Sequence, residues 1–160
     1  MTSTPMGRLT KLWLSLAWLA AATFVQAEEK RGHGQTLYVP VYSEVPYGDK
    51  GFNINLTATL SIRNTDRKNP ITVKRVDYFN STGALLRSYV KQAISLKAMA
   101  SSEYIVKESD RSGGISASFL VEWESEVAAS APVVEAVMVN SAYNHGIAFN
   151  TQSRVVEEKP

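Results

Sequence analysis

The chain has 160 residues, of which 44% are apolar, 20% charged and 9% aromatic, as in an ordinary globular domain. Its formal net charge is +2, and it contains no cysteine. These values exclude a disulfide-stapled mini-protein, a cysteine nucleophile and a thiolate metal site, and they argue against a nucleic-acid-binding protein.

Residues 1–27 have the pattern of a secretory signal peptide. Arg8 and Lys11 precede an uncharged apolar run over residues 12–25, and the segment Val25-Gln26-Ala27 resembles a signal peptidase site. The run has 14 residues, whereas a membrane span needs about 20. Cleavage is therefore favoured over a retained anchor, and we expect an exported protein with no membrane span after cleavage.

The predicted mature chain, residues 28–160, has no net charge because Arg8 and Lys11 are lost with the signal peptide. A neutral domain has no overall field that would draw it to nucleic acid or to anionic lipid. We predict a flexible leader over residues 28–35, which contain two glycines and several charges. A single folded domain is expected over residues 36–156, followed by a tail over residues 157–160.

Apolar and polar residues alternate in short segments throughout that domain, which is typical of half-buried β-strands. The phase of the third segment slips near Lys74 and Arg75, which indicates a β-bulge. Residues 80–83, Asn-Ser-Thr-Gly, predict a tight hairpin turn. The predicted strands are 36–45, 52–64, 71–79, 85–90, 102–107, 118–126, 133–140 and 146–156. In the first strand the alternating apolar residues are Leu37, Val39 and Val41. In the second strand the face expected to be buried consists of Phe52, Ile54, Leu56, Ala58, Leu60 and Ile62.

About eight short strands without a helical period predict an all-β fold. The best match is an antiparallel two-sheet β-sandwich of immunoglobulin-like type. Trp123 lies in the middle of a predicted strand on its apolar face, and we expect it to anchor the core. Pro40 cannot donate a backbone hydrogen bond, so its strand is expected at a sheet edge.

Few residues offer catalytic or metal-binding chemistry. His33 and His145 match no zinc-ligand spacing, although His145 with Met138 could in principle bind a soft metal ion. We interpret Met138 as a core residue instead. Residues 109–114 bring serine and aspartate together but lack the strand-to-helix elbow of a serine nucleophile. We therefore expect no enzymatic activity and no cofactor.

Two charged groups have ordinary explanations. Glu122, Glu124 and Glu126 share one strand face, which predicts a solvated row with basic cross-strand partners. A basic group surrounds one predicted hairpin, where we expect it to keep the hairpin soluble, although it could also bind an anionic polymer, a lipid head group or an acidic partner. Its members are Arg63, Arg67, Lys68, Lys74 and Arg75.

The most promising binding residues are tyrosines. Tyr38 and Tyr42 share a strand face, and Tyr47 and Asp49 follow in the next loop. Tyrosine is a favoured interface anchor because it combines a large area with a hydroxyl group and little rotamer entropy. We take these four residues as one candidate binding surface and Arg67 with Lys68 as a second.

Several stretches distributed over residues 36–156 resemble one known family. They are 36–43, 47–49, 55–66, 71–72, 76–78, 87–89, 112–114, 119–123 and 134–138. The family consists of small exported bacterial proteins and is designated domain of unknown function 3124. The resemblance implies a bacterial periplasmic or secreted protein, and it brings no catalytic residue, cofactor or ligand to this chain.

Two functions follow as expectations. The first is an exported, non-catalytic binding module whose partner is an envelope protein or a carbohydrate. The second is a metal-binding or hydrolytic periplasmic protein that uses His145 with nearby carboxylates or Met138. The first is favoured, because two histidines and no cysteine leave little chemistry for the second.

Overall fold

The computed structural model describes residues 31–49, 51–140 and 146–159. The described residues form an all-β structure whose only helical element is a short 3-10 turn, Gly114–Ser116. No helix in these ranges is long and apolar enough to cross a membrane. The strands are β1 (Arg31–Val41), β2 (Glu44–Tyr47), β3 (Phe52–Asn55), β4 (Thr57–Arg63), β5 (Ile71–Phe79), β6 (Leu85–Ser88), β7 (Ile94–Leu96), β8 (Ser101–Val106), β9 (Ala117–Ser130), β10 (Val133–Asn140), β11 (Ile147–Gln152) and β12 (Arg154–Lys159).

Two antiparallel sheets enclose the core. The larger sheet has the order β12-β1-β9-β5-β6, with β7 also paired to β5. The smaller sheet has the order β11-β10-β4-β8, and β2 and β3 form a separate hairpin. The buried side chains of both sheets form one cluster, which confirms the predicted antiparallel sandwich. The immunoglobulin-like type is not confirmed and stays a prediction.

The core is built by alternating residues of the central strands. Leu37, Val39 and Val41 of β1 are almost completely buried, as predicted. Trp123 of β9 is completely buried, and its indole N–H donates to Gln35 Oε1 over 3.3 Å. That bond satisfies the one polar group of the largest core side chain, which would otherwise be costly to bury.

The predicted strand 52–64 is two strands with different partners. Leu56, Ala58, Leu60 and Ile62 are fully buried as expected. Phe52, however, is 61% exposed, because β3 pairs with β2 rather than with the sheets. The chain therefore leaves the sandwich near Leu56 while keeping the same alternation of apolar and polar residues.

The N-terminal boundary differs from the prediction. Strand β1 begins at Arg31, inside the predicted leader 28–35. Position 34 of this strand is a glycine because the backbone of β9 comes too close for a side chain. An added Cβ would lie 2.5 Å from the Trp123 carbonyl oxygen. Glycine, which suggested flexibility in the sequence, here allows two strands to approach closely.

The C-terminal boundary also differs. The predicted tail 157–160 contains Glu157–Lys159 of β12, which pair with residues 34–36 of β1. Pro40 predicted that its strand lies at a sheet edge, and this prediction is wrong, because β1 pairs with β12 on one side and with β9 on the other. Pro40 lies beyond the residues of β1 that β12 reaches, so its missing N–H costs no bond on that side.

Two local predictions are confirmed. The β5–β9 register shifts between Val73 and Arg75, where the sequence predicts a bulge. In the β5–β6 turn, Gly83 has φ 81°. The Asn80 side-chain oxygen accepts hydrogen bonds from the backbone N–H groups of Thr82 and Ala84. These bonds are typical of an asparagine at a turn.

Candidate functional site

The β2–β3 hairpin exposes two aromatic rings at its end. Tyr47 and Phe52 are directly opposite each other across the hairpin and are 62% and 61% exposed. Two residue pairs closer to the sandwich, Val45 and Ile54 occupy the same hairpin face and pack against the core. The apolar face of the hairpin thus begins on the core and continues into solvent, and we call Tyr47 and Phe52 the aromatic tip.

Sequence reasoning found half of this tip. Tyr47 was a candidate, and Asp49 is exposed in the connecting turn, between Gly48 and Gly51, whose φ values are 64° and 70°. Phe52 was assigned to a buried face and therefore missed. The glycine directly before it was the available signal, since glycine is typical of tight turns and Phe52 is the first residue after it.

The other two candidate tyrosines lie elsewhere. Tyr38 is 40% exposed on the outer face of β1, between Leu120 and Arg154 of the neighbouring strands. The Tyr42 ring packs edge-on against Phe149, with ring centroids 5.6 Å apart, and contacts the core. The structure therefore does not align the three tyrosines as one exposed row.

Arg67 and Lys68 lie at the opposite end of the sandwich from the aromatic tip. They follow the end of β4, whereas the β2–β3 hairpin precedes its beginning. Strand β4 has seven residues, which at about 3.3 Å per residue separates the two places by roughly 20 Å. The two candidate surfaces are thus distinct sites.

Arg67 and Lys68 border a cavity of about 320 Å³, which we call the loop cavity. It lies where β4 and β9 end and β1 begins. Its lining consists of Arg31, Thr65, Asp66, Arg67, Lys68 and Ser130.

The buried carboxylate of Asp66 organises this loop. Its Oδ1 accepts hydrogen bonds from the backbone N–H groups of Lys68 and Asn69, each 2.9 Å long. Its Oδ2 accepts from Arg31 Nη2 at 2.7 Å and from the backbone N–H of Ser130 at 3.0 Å. Backbone donors, those of Asn69, Lys68 and Ser130 in that order, hold the pKa of Asp66 well below its ordinary value.

A second side chain, that of Asn64, also holds this loop in place. The Asn64 amide donates to the carbonyl oxygens of Asn69, Leu96 and Lys97 over 2.9 to 3.2 Å. Its oxygen accepts the backbone N–H of Asp66. No sequence motif indicated the hydrogen bonds of Asp66 and Asn64, since they join four separate parts of the chain, namely residues 31, 64–69, 96–97 and 130.

Most of the predicted basic group is neutralised. Arg63 pairs with Glu135, Lys74 with Glu124 over 2.9 Å, and Arg75 with Glu122 over 3.3 Å. In contrast, neither Arg67 nor Lys68 forms an ion pair with any residue that the structure describes.

Two members of the acidic row of β9 have the basic partners that the sequence predicted, whereas Glu126 is exposed and forms no ion pair with a residue that the structure describes. Glu122 contacts both Arg75 and Lys159, and Glu124 contacts Lys74. The hydrogen bond from Lys159 is the main cause that lowers the pKa of Glu122, and its burial acts in the opposite direction. Glu122 and Glu124 are therefore paired with basic side chains and partly exposed to solvent.

The serine- and glycine-rich segment 109–114 is part of the scaffold. Asp110 accepts hydrogen bonds from the Ser112 hydroxyl at 2.5 Å and from Arg87 at 3.0 Å. The Ser112 hydroxyl is the largest influence that lowers the pKa of Asp110. Gly113 packs so closely on the buried Tyr78 that a Cβ would lie 1.9 Å from the phenol oxygen.

Of the two metal candidates, Met138 is fully buried in the core. His145 lies outside the described residues, so a role for it stays a prediction. Within the described ranges, no group of three or more His, Cys, Asp or Glu side chains is placed to hold a metal ion.

Comparisons with known proteins show a family but no activity. No curated protein shows significant similarity to the chain. A solved structure described as that of Thermotoga maritima 1070 is 16% identical, with a TM-score of 0.47, and covers 80% of this chain and 98% of its own. The family model "Protein of unknown function (DUF3124)" matches residues 34–156, which is most of the chain. The chain therefore belongs to the DUF3124 family of proteins of unknown function.

Proposed function

We propose that the chain is an exported, non-catalytic binding module that engages an envelope protein through its aromatic tip. The observation that carries this proposal is the paired exposure of Tyr47 and Phe52, 62% and 61%, at the end of a projecting hairpin. Large aromatic side chains bury 150–250 Å² each on contact, so leaving two of them in water forgoes considerable stabilisation.

The shape of the tip favours a protein partner over a carbohydrate. Ligands of small size usually bind in concave sites, whereas this hairpin projects from the sandwich and fits a cleft in another molecule. The base of the hairpin is held by Val45 and Ile54 against the core. The tip is thus supported before binding, which reduces the entropy cost of association.

The N-terminal pattern supports export, because residues 1–27 have the charge, apolar length and cleavage-site arrangement of a signal peptide. Export would bring the hairpin into contact with envelope proteins. We propose no catalytic activity, because the sequence contains two histidines and no cysteine.

The test is affinity capture from a native envelope extract with the wild-type protein and two double variants. Tyr47→Ala/Phe52→Ala removes the aromatic tip. Ile105→Ala/Val133→Ala is the matched control, since these side chains are also exposed, at 52% and 47%, but belong to the smaller sheet. Because interface aromatics often contribute about 2 kcal/mol or more each, the tip variant should bind a captured protein at least about tenfold more weakly.

Support requires one protein that the wild type and the control retain and the tip variant loses. Capture of that protein by all three would contradict the proposal. Recovery of a glycan instead, again lost only with the tip variant, would assign the surface to a carbohydrate and overturn the choice of an envelope protein.

A further inference from the structure

The loop cavity at the other end of the sandwich has a charge imbalance that the proposed function does not use. Among its lining residues are three basic side chains and one carboxylate. Arg31 and Asp66 form a 2.7 Å ion pair and neutralise each other. Arg67 and Lys68 remain, both exposed and both without an ion-pair partner among the described residues.

The Asp66 carboxylate does not offset these two charges locally. Its oxygens already accept hydrogen bonds from Arg31, from the Ser130 backbone and from the backbone N–H groups of Lys68 and Asn69. A carboxylate with that many donors has little remaining capacity to attract another cation. Two positive side chains therefore border the cavity beside an internally satisfied ion pair.

The backbone that presents these charges is held in place. Asp66 fixes the amides of Lys68 and Asn69, and Asn64 binds carbonyl oxygens on both the loop and the β7 region. The loop therefore has its backbone conformation before any ligand arrives, and only the Arg67 and Lys68 side chains need to become ordered. Such preorganisation lowers the cost of binding a small ligand.

The lining also restricts the ligand class. None of the described lining residues is aromatic, so the cavity offers no surface on which a nucleobase or a sugar ring could stack. A volume of about 320 Å³ is at the lower end of the range for small-molecule sites. Arginine and lysine are the side chains that bind phosphate oxygens most effectively.

We propose that the loop cavity binds a phosphate group carried by a small molecule or by a lipid head group, with Arg67 and Lys68 as its principal ligands. Arg31, whose side chain is 43% exposed, borders the same space while it donates to Asp66. This site is separate from the aromatic tip, so either proposal can fail without the other.

The experiment measures binding of the purified wild-type protein to inorganic phosphate and glycerol 3-phosphate by calorimetry, and to phosphatidylcholine vesicles with and without phosphatidic acid by sedimentation. The test variant is Arg67→Ala/Lys68→Ala. Its matched control is Lys91→Ala/Lys107→Ala, which removes the same charge from exposed residues outside the cavity. Both variants should unfold at the wild-type temperature, because all four side chains are exposed.

Loss of charge-assisted hydrogen bonds should weaken binding about tenfold or more in the test variant, with little change in the control. Binding of the soluble phosphates with this pattern would assign a small-molecule source. Binding confined to phosphatidic acid vesicles, with the same dependence on the variant, would assign a lipid head group. Equal weakening by both variants would overturn the proposal, because net charge alone would then explain it, and so would absence of all wild-type binding.

Discussion

Gly34 lies where β1 and β9 come closest together. An added Cβ would be 2.5 Å from the Trp123 carbonyl oxygen and 3.1 Å from the Glu124 Cα, both backbone atoms. Backbone atoms of a paired strand cannot move without disturbing the ladder. Gly32, two residues earlier in the same strand, has no heavy atom within 4 Å of its would-be Cβ. The two glycines therefore provide a matched pair for measuring the cost of the close approach.

We expect Gly34→Ala to lower the free energy of unfolding by about 2 kcal/mol, the typical effect of overpacking. Gly32→Ala should change it by no more than about 0.5 kcal/mol. Urea denaturation of both variants and the wild type measures the difference. An equal loss in the free energy of unfolding for the two substitutions would contradict a close approach of β1 and β9 at Gly34.

Asp66 predicts a dependence of stability on pH. Backbone hydrogen bonds, first from Asn69 and then from Lys68 and Ser130, lower its pKa in the folded protein. An unfolded aspartate titrates near pH 3.9, so the folded state favours the charged form more than the unfolded state does. The stabilisation is therefore complete above about pH 5 and is lost progressively as the pH falls below about 4 towards the folded pKa.

Asp66→Asn should destabilise the protein at neutral pH and remove this part of its acid sensitivity. The measurement is the free energy of unfolding in urea for the wild type and the variant at pH 7, 5, 4 and 3. The difference between the two proteins should shrink as the pH falls. A difference that is constant over this range would show that Asp66 contributes no titrating stabilisation.

At the residue scale, the sequence predicted the environment of residues whose burial or backbone geometry depends on their own strand. Leu37, Trp123 and the bulge near Arg75 follow from alternation alone. Asp66 and Gly34 were not predicted, because their environment depends on distant partners. Asp66 bonds to Ser130, 64 residues away, and no local pattern indicates such a contact.

At the scale of elements, alternation predicted most strands but not their partners. A strand that moves from one partner to another keeps its period of two, so the change near Leu56 left no trace in the sequence pattern. The same limitation explains why Phe52 was assigned to the core. It also explains β12, whose charged residues suggest a tail until pairing with β1 is known.

Strand β12 allows a direct test of that pairing. Truncation after Val156 removes the partners of Gly34, Gln35 and Thr36, and with them the Lys159–Glu122 ion pair. Since backbone hydrogen bonds contribute about 1 kcal/mol each in net terms, we expect the free energy of unfolding to fall by roughly 2–3 kcal/mol.

The control for the truncation is Lys159→Ala, which removes only the ion pair and should cost no more than about 1 kcal/mol. Urea denaturation of the two variants separates the Lys159–Glu122 ion pair from the strand pairing, which is lost together with the Glu157 and Glu158 side-chain bonds to Thr36 and Gln35. If the truncated protein is as stable as the wild type, residues 157–160 do not stabilise the fold and form a tail, as the sequence predicted.

For the whole molecule, the two-sheet sandwich could be predicted because many short alternating strands have few other ways to bury their apolar faces. The placement of the candidate surfaces could not. Tyr47 and Arg67 are only 20 positions apart in the sequence, but β4 runs between them and places them at opposite ends. Strand β4 thus separates two candidate surfaces that are close together in the sequence.

The short distance between the predicted signal peptide and the first strand leads to a prediction for the start of the exported protein. The predicted cleavage site follows Ala27, and β1 begins at Arg31, whose side chain is already bound to Asp66. Only residues 28–30 lie between them. We therefore expect the exported protein to begin at Glu28, which leaves β1 and the loop cavity intact.

Mass spectrometry of the N-terminal peptide from a bacterial periplasmic fraction measures this start. Ala27→Leu should leave the protein unprocessed and membrane-associated, because a larger side chain does not fit a pocket that selects small residues. Lys30→Ala, beyond the site, should be processed like the wild type. A wild-type chain that keeps residues 1–27 would contradict cleavage and imply that the sandwich stays anchored at its N-terminus, a few residues before the Arg31–Asp66 pair.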